Sequence, residues 1–173
     1  TACICKFGDC YGDEQRGDFI REKINDKHYP ASITKLLTAL VALENADPDD
    51  EVYFSEDSVS FLEYGDASIG MRPGEILSMN DALYGMLLAS ANEVSYAIAE
   101  SVGKKMGGGF ETFIQKMNER CEELGCTGSH WTNANGLHDE NHYTTAHDMA
   151  LINTAFGILT SWCAVVSYNT FTN

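Results

Sequence analysis

No stretch of this sequence is long enough and apolar enough to cross a membrane. The longest mostly apolar runs, residues 33–43 and 156–168, fall short of the roughly 20 residues a spanning helix needs, and both carry Thr or Ser. Basic residues are scarce too: Lys and Arg number 11 against 26 Asp and Glu, for a net charge of −15. Phosphate backbones and anionic headgroups are gripped by clustered Lys and Arg. The balance therefore argues against nucleic acid as a partner and against docking on anionic lipid through this segment. There is no initiator Met and no signal peptide, so Thr1 is expected to open a processed chain, a trimmed chain or a fragment. Internal repeats and low-complexity segments are absent.

Cysteines are present, but not in a metal-binding arrangement. Cys3, Cys5 and Cys10 cluster near the N-terminus without the second ligand pair that a four-coordinate zinc site wants, so no metal is expected there. Cys121 and Cys126 fall in a helical apolar pattern and read as small buried thiols. An apolar fraction of 44% and a charged fraction of 21% over 173 residues are those of a folded soluble domain with a sizeable core.

Residues 1–27 are weakly patterned, with Gly8, Gly12 and Gly17 among charges and a possible strand end at 19–23. From Pro30 the pattern sharpens. Ile33, Leu36, Leu37, Leu40, Val41 and Leu43 recur at helical spacing, which predicts a buried helix over 32–45. A short strand is expected at 52–54 and a helical turn at 55–62. Ser78 followed by Asp81 has the spacing of a capping box and predicts a helix over 80–88. That helix breaks near Ser90, and a new one runs to about residue 102. Phe110, Phe113, Ile114, Met117, Cys121 and Leu124 predict another amphipathic helix, stopped by Gly125. Residues 133–141 read as a polar loop. Thr145 with Asp148 opens a last helix to about residue 156, and 165–168 is a possible strand.

Two short motifs carry candidate chemistry. In Ser32-Ile-Thr-Lys35, Ser32 falls at the start of a buried helix, where backbone N–H groups and the helix dipole favour developing negative charge. Lys35 lies one turn on, along the same face. Burial disfavours a charged ammonium, so Lys35 can take the Ser32 proton and activate the hydroxyl as a nucleophile. Taken alone, Ser-x-x-Lys reads more often as a helix cap. The second motif, Ser90-Ala-Asn92, lies between two helices. Its Ser hydroxyl can shuttle protons, and its Asn amide can hold Lys35 and a substrate carbonyl. Ser90 with Glu93 also reads as a capping box.

The order and surroundings of these motifs raise them above chance. Pro-Ala-Ser32-Ile-Thr-Lys35-Leu-Leu-Thr-Ala-Leu resembles the nucleophile helix of serine-type D-alanyl-D-alanine carboxypeptidases, the low-molecular-weight penicillin-binding proteins. Gly70-Met-Arg-Pro-Gly-Glu and Asp81-Ala-Leu-Tyr-Gly-Met-Leu-Leu-Ala-Ser-Ala-Asn-Glu resemble the approach to their second motif. Phe113-Ile-Gln-Lys-Met-Asn, Asn133-Ala-Asn-Gly-Leu and His142-Tyr-Thr-Thr-Ala-His-Asp-Met-Ala-Leu continue the likeness, which is strongest from 29 to 156. Several blocks in order are far more specific than one motif.

The resemblance implies a mixed α/β fold like that of serine β-lactamases, a helical cluster packed on an antiparallel sheet. It implies Ser32 as acylated nucleophile, Lys35 as general base, and Ser90 and Asn92 as the second catalytic element. The backbone N–H of Ser32 would be half of an oxyanion hole. The implied substrate is a peptidoglycan stem peptide, with β-lactam antibiotics as inhibitors and no cofactor or metal. The implied location is the extracytoplasmic cell envelope, with any membrane anchor outside this chain. β-Lactam hydrolysis on the same scaffold and a catalytically inactive or partner-dependent fragment are the alternatives.

The family's Lys-Thr-Gly motif is missing, and residues 1–18 lack the usual apolar strand pair. The resemblance therefore implies a single partial domain, truncated before that strand, with an incomplete sheet. It would comprise an N-terminal segment (1–28), a helical body with the motifs (29–158) and the start of a C-terminal part (159–173). The remaining candidates are weaker. His138 and His142 are spaced i, i+4 but lie in a Gly- and Asn-rich region, and read as solvated or loop-packing. Glu93 and Glu140 do not stand where a deacylating carboxylate of class A β-lactamases stands. Trp131 reads as a packing residue.

Overall fold

The computed structural model describes residues 23–170, with side chains through residue 160. The expectations for Cys3, Cys5 and Cys10, and for a strand end at 19–23 apart from Lys23 in a turn, lie outside the described residues.

A 3-10 turn, Ala31–Ile33, leads into α1 (Thr34–Asn45). There follow β1 (Glu51–Tyr53), α2 (Glu56–Ser60), β2 (Ile76–Ser78), α3 (Met79–Ala89), α4 (Asn92–Lys105), α5 (Phe110–Glu123) and α6 (Ala146–Thr170). Helix α1 is the hub. Of the six residues whose spacing predicted the helix, Leu37, Leu40 and Val41 are fully buried, Leu36 and Leu43 are half-buried, and Ile33 lies exposed just ahead of it. Helices α3, α4, α5 and α6 pack around it. Phe54, Met79, Met86, Ile98, Phe113, Met117 and Ile152 complete one contiguous core. At about 25 cal/mol per Å2, each large apolar side chain buried this way contributes roughly 1.5–3 kcal/mol.

Strands β1 and β2 pair antiparallel, with Glu51 opposite Ser78, Val52 opposite Leu77 and Tyr53 opposite Ile76. They form the one sheet among the described residues. A helical cluster beside a small antiparallel sheet is the architecture expected from the sequence.

Local signals operate largely as read. Ser55 caps α2 by accepting the Ser58 N–H. Ser78 caps α3, accepting the Asp81 N–H at 3.1 Å; its own hydroxyl donates to Asp81 Oδ2 at 2.9 Å. The Asp carboxylate thus meets the capping hydroxyl instead of reaching back to the backbone as Glu does. After α5, Gly125 adopts φ +83 and ends the helix. Asp148 N donates to Thr145 Oγ1 at 3.1 Å, opening α6 as expected.

Three expectations need correction. The segment 165–168 is not a strand: α6 runs unbroken through it to Thr170. Its valines favour a strand, but a strand needs an edge to pair with, whereas a helix satisfies its backbone within itself. Ser90 and Glu93 form no capping box. Ser90 ends α3 in the left-handed region, φ 56 and ψ 28, and Ala91 is the N-cap of α4. A box needs its hydroxyl residue at the extended N-cap position, which Ser90 cannot occupy while closing the preceding helix. Nor does Ser32 cap α1: neither Pro30 nor Ile33, the residues at the two cap positions, makes a side-chain cap bond, and Ser32 lies within the 3-10 turn.

Candidate active site

The two motifs meet at the start of α1. Lys35, only 2% exposed, is on the first turn of α1 and points along it towards Ser32. Its Nζ donates to Asn92 Oδ1 at 2.8 Å, to the Asn135 backbone carbonyl at 2.8 Å and to Ser32 Oγ at 3.2 Å. Ser32 is exposed, and Ser90 is half-buried. Ser32, Lys35 and Ser90 line one cavity of about 270 Å3 with Ile33, Leu36, Met86 and Leu87. All four residues singled out from the sequence are therefore in one place.

Burial pulls the Lys35 pKa down to about 8, and the nearby Glu93 carboxylate offsets only part of that. At pH 7 about a tenth of the molecules then hold Lys35 neutral, far more than for a solvated lysine. A neutral amine keeps two N–H donors and gains one lone pair. The Asn92 and Asn135 oxygens can only accept, so they retain the two N–H groups. The lone pair is left facing Ser32, and that hydrogen bond reverses to Ser32 Oγ–H donating to Nζ. The geometry thus supports proton transfer from a serine hydroxyl to a lysine amine.

Asn92 owes its position to the first turn of α4. Its backbone N–H donates to the Ala67 carbonyl at 2.8 Å. The adjacent Glu93, fully buried, accepts on Oε1 from Ser68 Oγ at 2.7 Å, Ile69 N at 2.8 Å and Gly70 N at 3.2 Å. Its other oxygen, Oε2, is buried without a protein hydrogen-bond partner. Glu93 therefore ties the 67–70 loop to the helix end that presents Asn92.

Sequence reading missed the contribution of the 131–145 loop. Asn135 acts through its backbone carbonyl, which no residue-type signal reveals. Thr38 Oγ1 donates to the Ala134 carbonyl at 2.7 Å, fastening the loop to α1. His142, 1% exposed, bonds Thr34 Oγ1 through Nε2 at 2.9 Å and accepts the Thr132 N–H on Nδ1 at 3.1 Å. His142 is thus a loop-packing histidine, while His138 is exposed and meets the Tyr29 ring edge-on. Burial holds the His142 pKa down to about 4. Trp131 packs in the core as expected, and its indole N–H donates to Cys121 Sγ at 2.9 Å. Cys121 and Cys126 are buried free thiols whose pKa values burial pushes up, as inert thiols require. Among the described residues, no group of three or more His, Cys, Asp or Glu converges as metal ligands would.

Comparison with known proteins bears on the family and the fold. The chain matches the D-alanyl-D-alanine carboxypeptidase family over residues 13–160. It is 36% identical over 133 residues to the D-alanyl-D-alanine carboxypeptidase DacF of Bacillus subtilis, an overlap of 74% of this chain and 32% of that protein. It is 33% identical over 130 residues to DacB2 of Mycobacterium tuberculosis, covering 74% of this chain and 42% of that one. Among solved structures, a D-alanyl-D-alanine carboxypeptidase from Mycobacterium tuberculosis superposes with a TM-score of 0.66 at 32% identity, covering 79% of this chain and 52% of its own. DacD from Francisella tularensis gives 0.67 at 27% identity, covering 77% and 32%. The chain thus spans between about a third and a half of the length of these proteins. With the family matched over most of the sequence, and the fold shared with its solved members, this chain belongs to the D-alanyl-D-alanine carboxypeptidase family.

Proposed function

We propose that the protein is a serine-type D-Ala-D-Ala carboxypeptidase acting on peptidoglycan stem peptides, with Ser32 as the nucleophile. The observation that carries this reading is the Lys35 amine, buried and shared among Ser32, Asn92 and Asn135. Ser32 Oγ attacks the carbonyl carbon of the penultimate D-alanine while its proton passes to neutral Lys35. The tetrahedral intermediate collapses, and the leaving D-alanine amine takes that proton. Water then attacks the acyl-serine ester, giving its proton back through the same amine and restoring the Ser32 hydroxyl. Ser90 lines the same cavity as Ser32, and in this reading it passes protons towards the leaving amine. The backbone N–H of Ser32 serves as one oxyanion donor. Asn92 both holds Lys35 and is available to a substrate carbonyl. The substrate places the site in the extracytoplasmic cell envelope. β-Lactams, which present a strained amide to the same nucleophile, are its inhibitors.

The test is covalent labelling of the full-length protein with a fluorescent penicillin. Label on Ser32, mapped by mass spectrometry, abolished by Ser32→Ala and released slowly, is the expected result. An adduct on Ser90, or none at all, overturns the assignment. Fast release marks a β-lactam hydrolase on the same scaffold.

A further inference from the structure

The Ser32 hydroxyl is only as well placed as the turn that carries it. Ala31, immediately before it, has φ 50, a left-handed conformation that an L-residue keeps only when its surroundings dictate it. The Ala31 carbonyl accepts Thr34 Oγ1–H at 2.8 Å. Having spent its proton there, Thr34 Oγ1 is an acceptor towards His142 Nε2, 2.9 Å away. The other ring nitrogen, Nδ1, faces the Thr132 backbone N–H at 3.1 Å, and that group can only donate. Thr132 Oγ1, at 3.4 Å from Nδ1, is the longer contact there and as a hydroxyl can donate too, so the shorter backbone bond sets the directions. Thr132 N–H donates to Nδ1, Nε2–H donates to Thr34, and Thr34 donates to Ala31. The tautomer of the ring is set by the backbone behind it.

Gly136 brings the loop this close, since a Cβ there would lie 1.9 Å from the Ala31 oxygen. The neighbouring Asn135 carbonyl is the one that holds Lys35. One loop therefore grips both members of the nucleophile–base pair, Lys35 directly and Ser32 through His142, Thr34 and Ala31.

We propose that His142 is a positioning residue for the nucleophile: neutral and protonated at Nε2, it holds Thr34 against the Ala31 carbonyl and so keeps the Ser32 hydroxyl in line with Lys35. This inference rests on Ser32 being the nucleophile. The buried ring stays neutral at ordinary pH because burial outweighs the pull of Asp139, and His130 opposes its protonation further.

The experiment measures the penicillin acylation rate constant and the non-covalent binding constant separately in the full-length protein. His142→Leu is expected to lower the rate constant on the order of ten- to a hundredfold, with binding nearly unchanged, because a small misplacement of a nucleophile costs that much. His142→Gln places an amide N–H where Nε2–H stands and restores most of the rate. In a Thr34→Val background, His142→Leu adds no further loss, since the link it acts through is already gone. A His142→Leu variant that acylates within about twofold of wild type overturns the inference, as does a full second loss on top of Thr34→Val. Ring 15N shifts of the wild-type protein decide the matter if the Leu variant does not fold. Protonated Nε2 with bare Nδ1 at neutral pH is required, and the opposite tautomer or an imidazolium overturns it. If the wild type is not acylated at Ser32, the nucleophile assignment fails, and the ring shifts still pass judgement on the His142 hydrogen-bond chain.

Discussion

Ser32 stands between two walls of opposite character. Behind it, Lys35, Asn92, Thr34, His142 and Asn135 of the 131–145 loop are buried and hydrogen-bonded in a connected set. In front, the cavity is edged by Ile33 and Leu87, and the end of α3 continues outward with exposed Tyr84 and Leu88. The rear wall holds ionisable groups away from water and fixes their directions. That arrangement suits proton handling and works against stability, because burial penalises the charged form of each group. The front wall makes few demands on the fold and leaves apolar surface open beside Ser32. On the proposed mechanism the rear wall therefore governs reaction rate and the dependence of stability on pH, while the front wall governs neither.

The sharpest way to break that contrast is Lys35→Arg. The charge is kept and the chain length is similar, but a guanidinium cannot surrender its proton at working pH. Acylation by a fluorescent penicillin is expected to fall on the order of a thousandfold, the size of a lost general base. Near-normal acylation in the Arg variant would reduce Lys35 to an orienting group and leave the rear wall purely structural.

A second effect, smaller but directly tied to burial, is the pH dependence of unfolding. The folded-state pKa of Lys35 is about 8 against an ordinary 10.5, and that of His142 about 4 against 6.5. In each case the unfolded chain binds the proton more readily. Stability therefore rises with pH across each window and is lost as pH falls back through it. Each window amounts to about 3 kcal/mol. The measurement is denaturant unfolding of wild type against Lys35→Met from pH 7 to 11, and against His142→Gln from pH 3.5 to 7. The wild-type curve should climb relative to the Met variant between pH 8 and 10.5. Relative to the Gln variant it should climb between pH 4 and 6.5. Parallel curves in both windows would mean that these groups are as well solvated as the front wall.

The two walls also differed in how far the sequence announced them. Helix α1 was legible because Leu37, Leu40 and Val41 repeat at helical spacing and are buried for that reason. Ser32 and Lys35 came with it, as residues one turn apart on a helix share a face. The loop behind them was legible only as a polar loop. Asn135 contributes a carbonyl, which every residue has, and His142 owes its hydrogen bonds to Thr34, distant in sequence, and to the Thr132 backbone N–H within its own loop. The Ser90–Glu93 spacing misled because local capping lost to a tertiary demand: Glu93 turns to the Ser68 hydroxyl and the backbone N–H groups of Ile69 and Gly70 instead. The strand expected at 165–168 failed similarly, since β-branched composition says nothing about whether a pairing edge is nearby.

The smallest effect belongs to the front wall, and it separates exposure from apolarity. Leu88 is 82% exposed at the end of α3, whereas Leu37 in α1 is fully buried. The same change of leucine to a small side chain should therefore have very different costs. Leu37→Ala loses the transfer free energy of a buried side chain and leaves a cavity among packed helices, for about 2–5 kcal/mol. Leu88→Ser removes a side chain already in water, in the last turn of a helix whose stability comes from Met79, Ala82 and Met86 on its other face. Its effect on unfolding should stay within about 0.5 kcal/mol, the range of ordinary surface substitutions. Thermal unfolding of the two variants beside wild type checks this. A Leu88→Ser loss approaching that of Leu37→Ala would mean that the exposed end of α3 is covered in solution. The front wall would then be a buried interface, and its contrast with the rear wall would rest on what covers it.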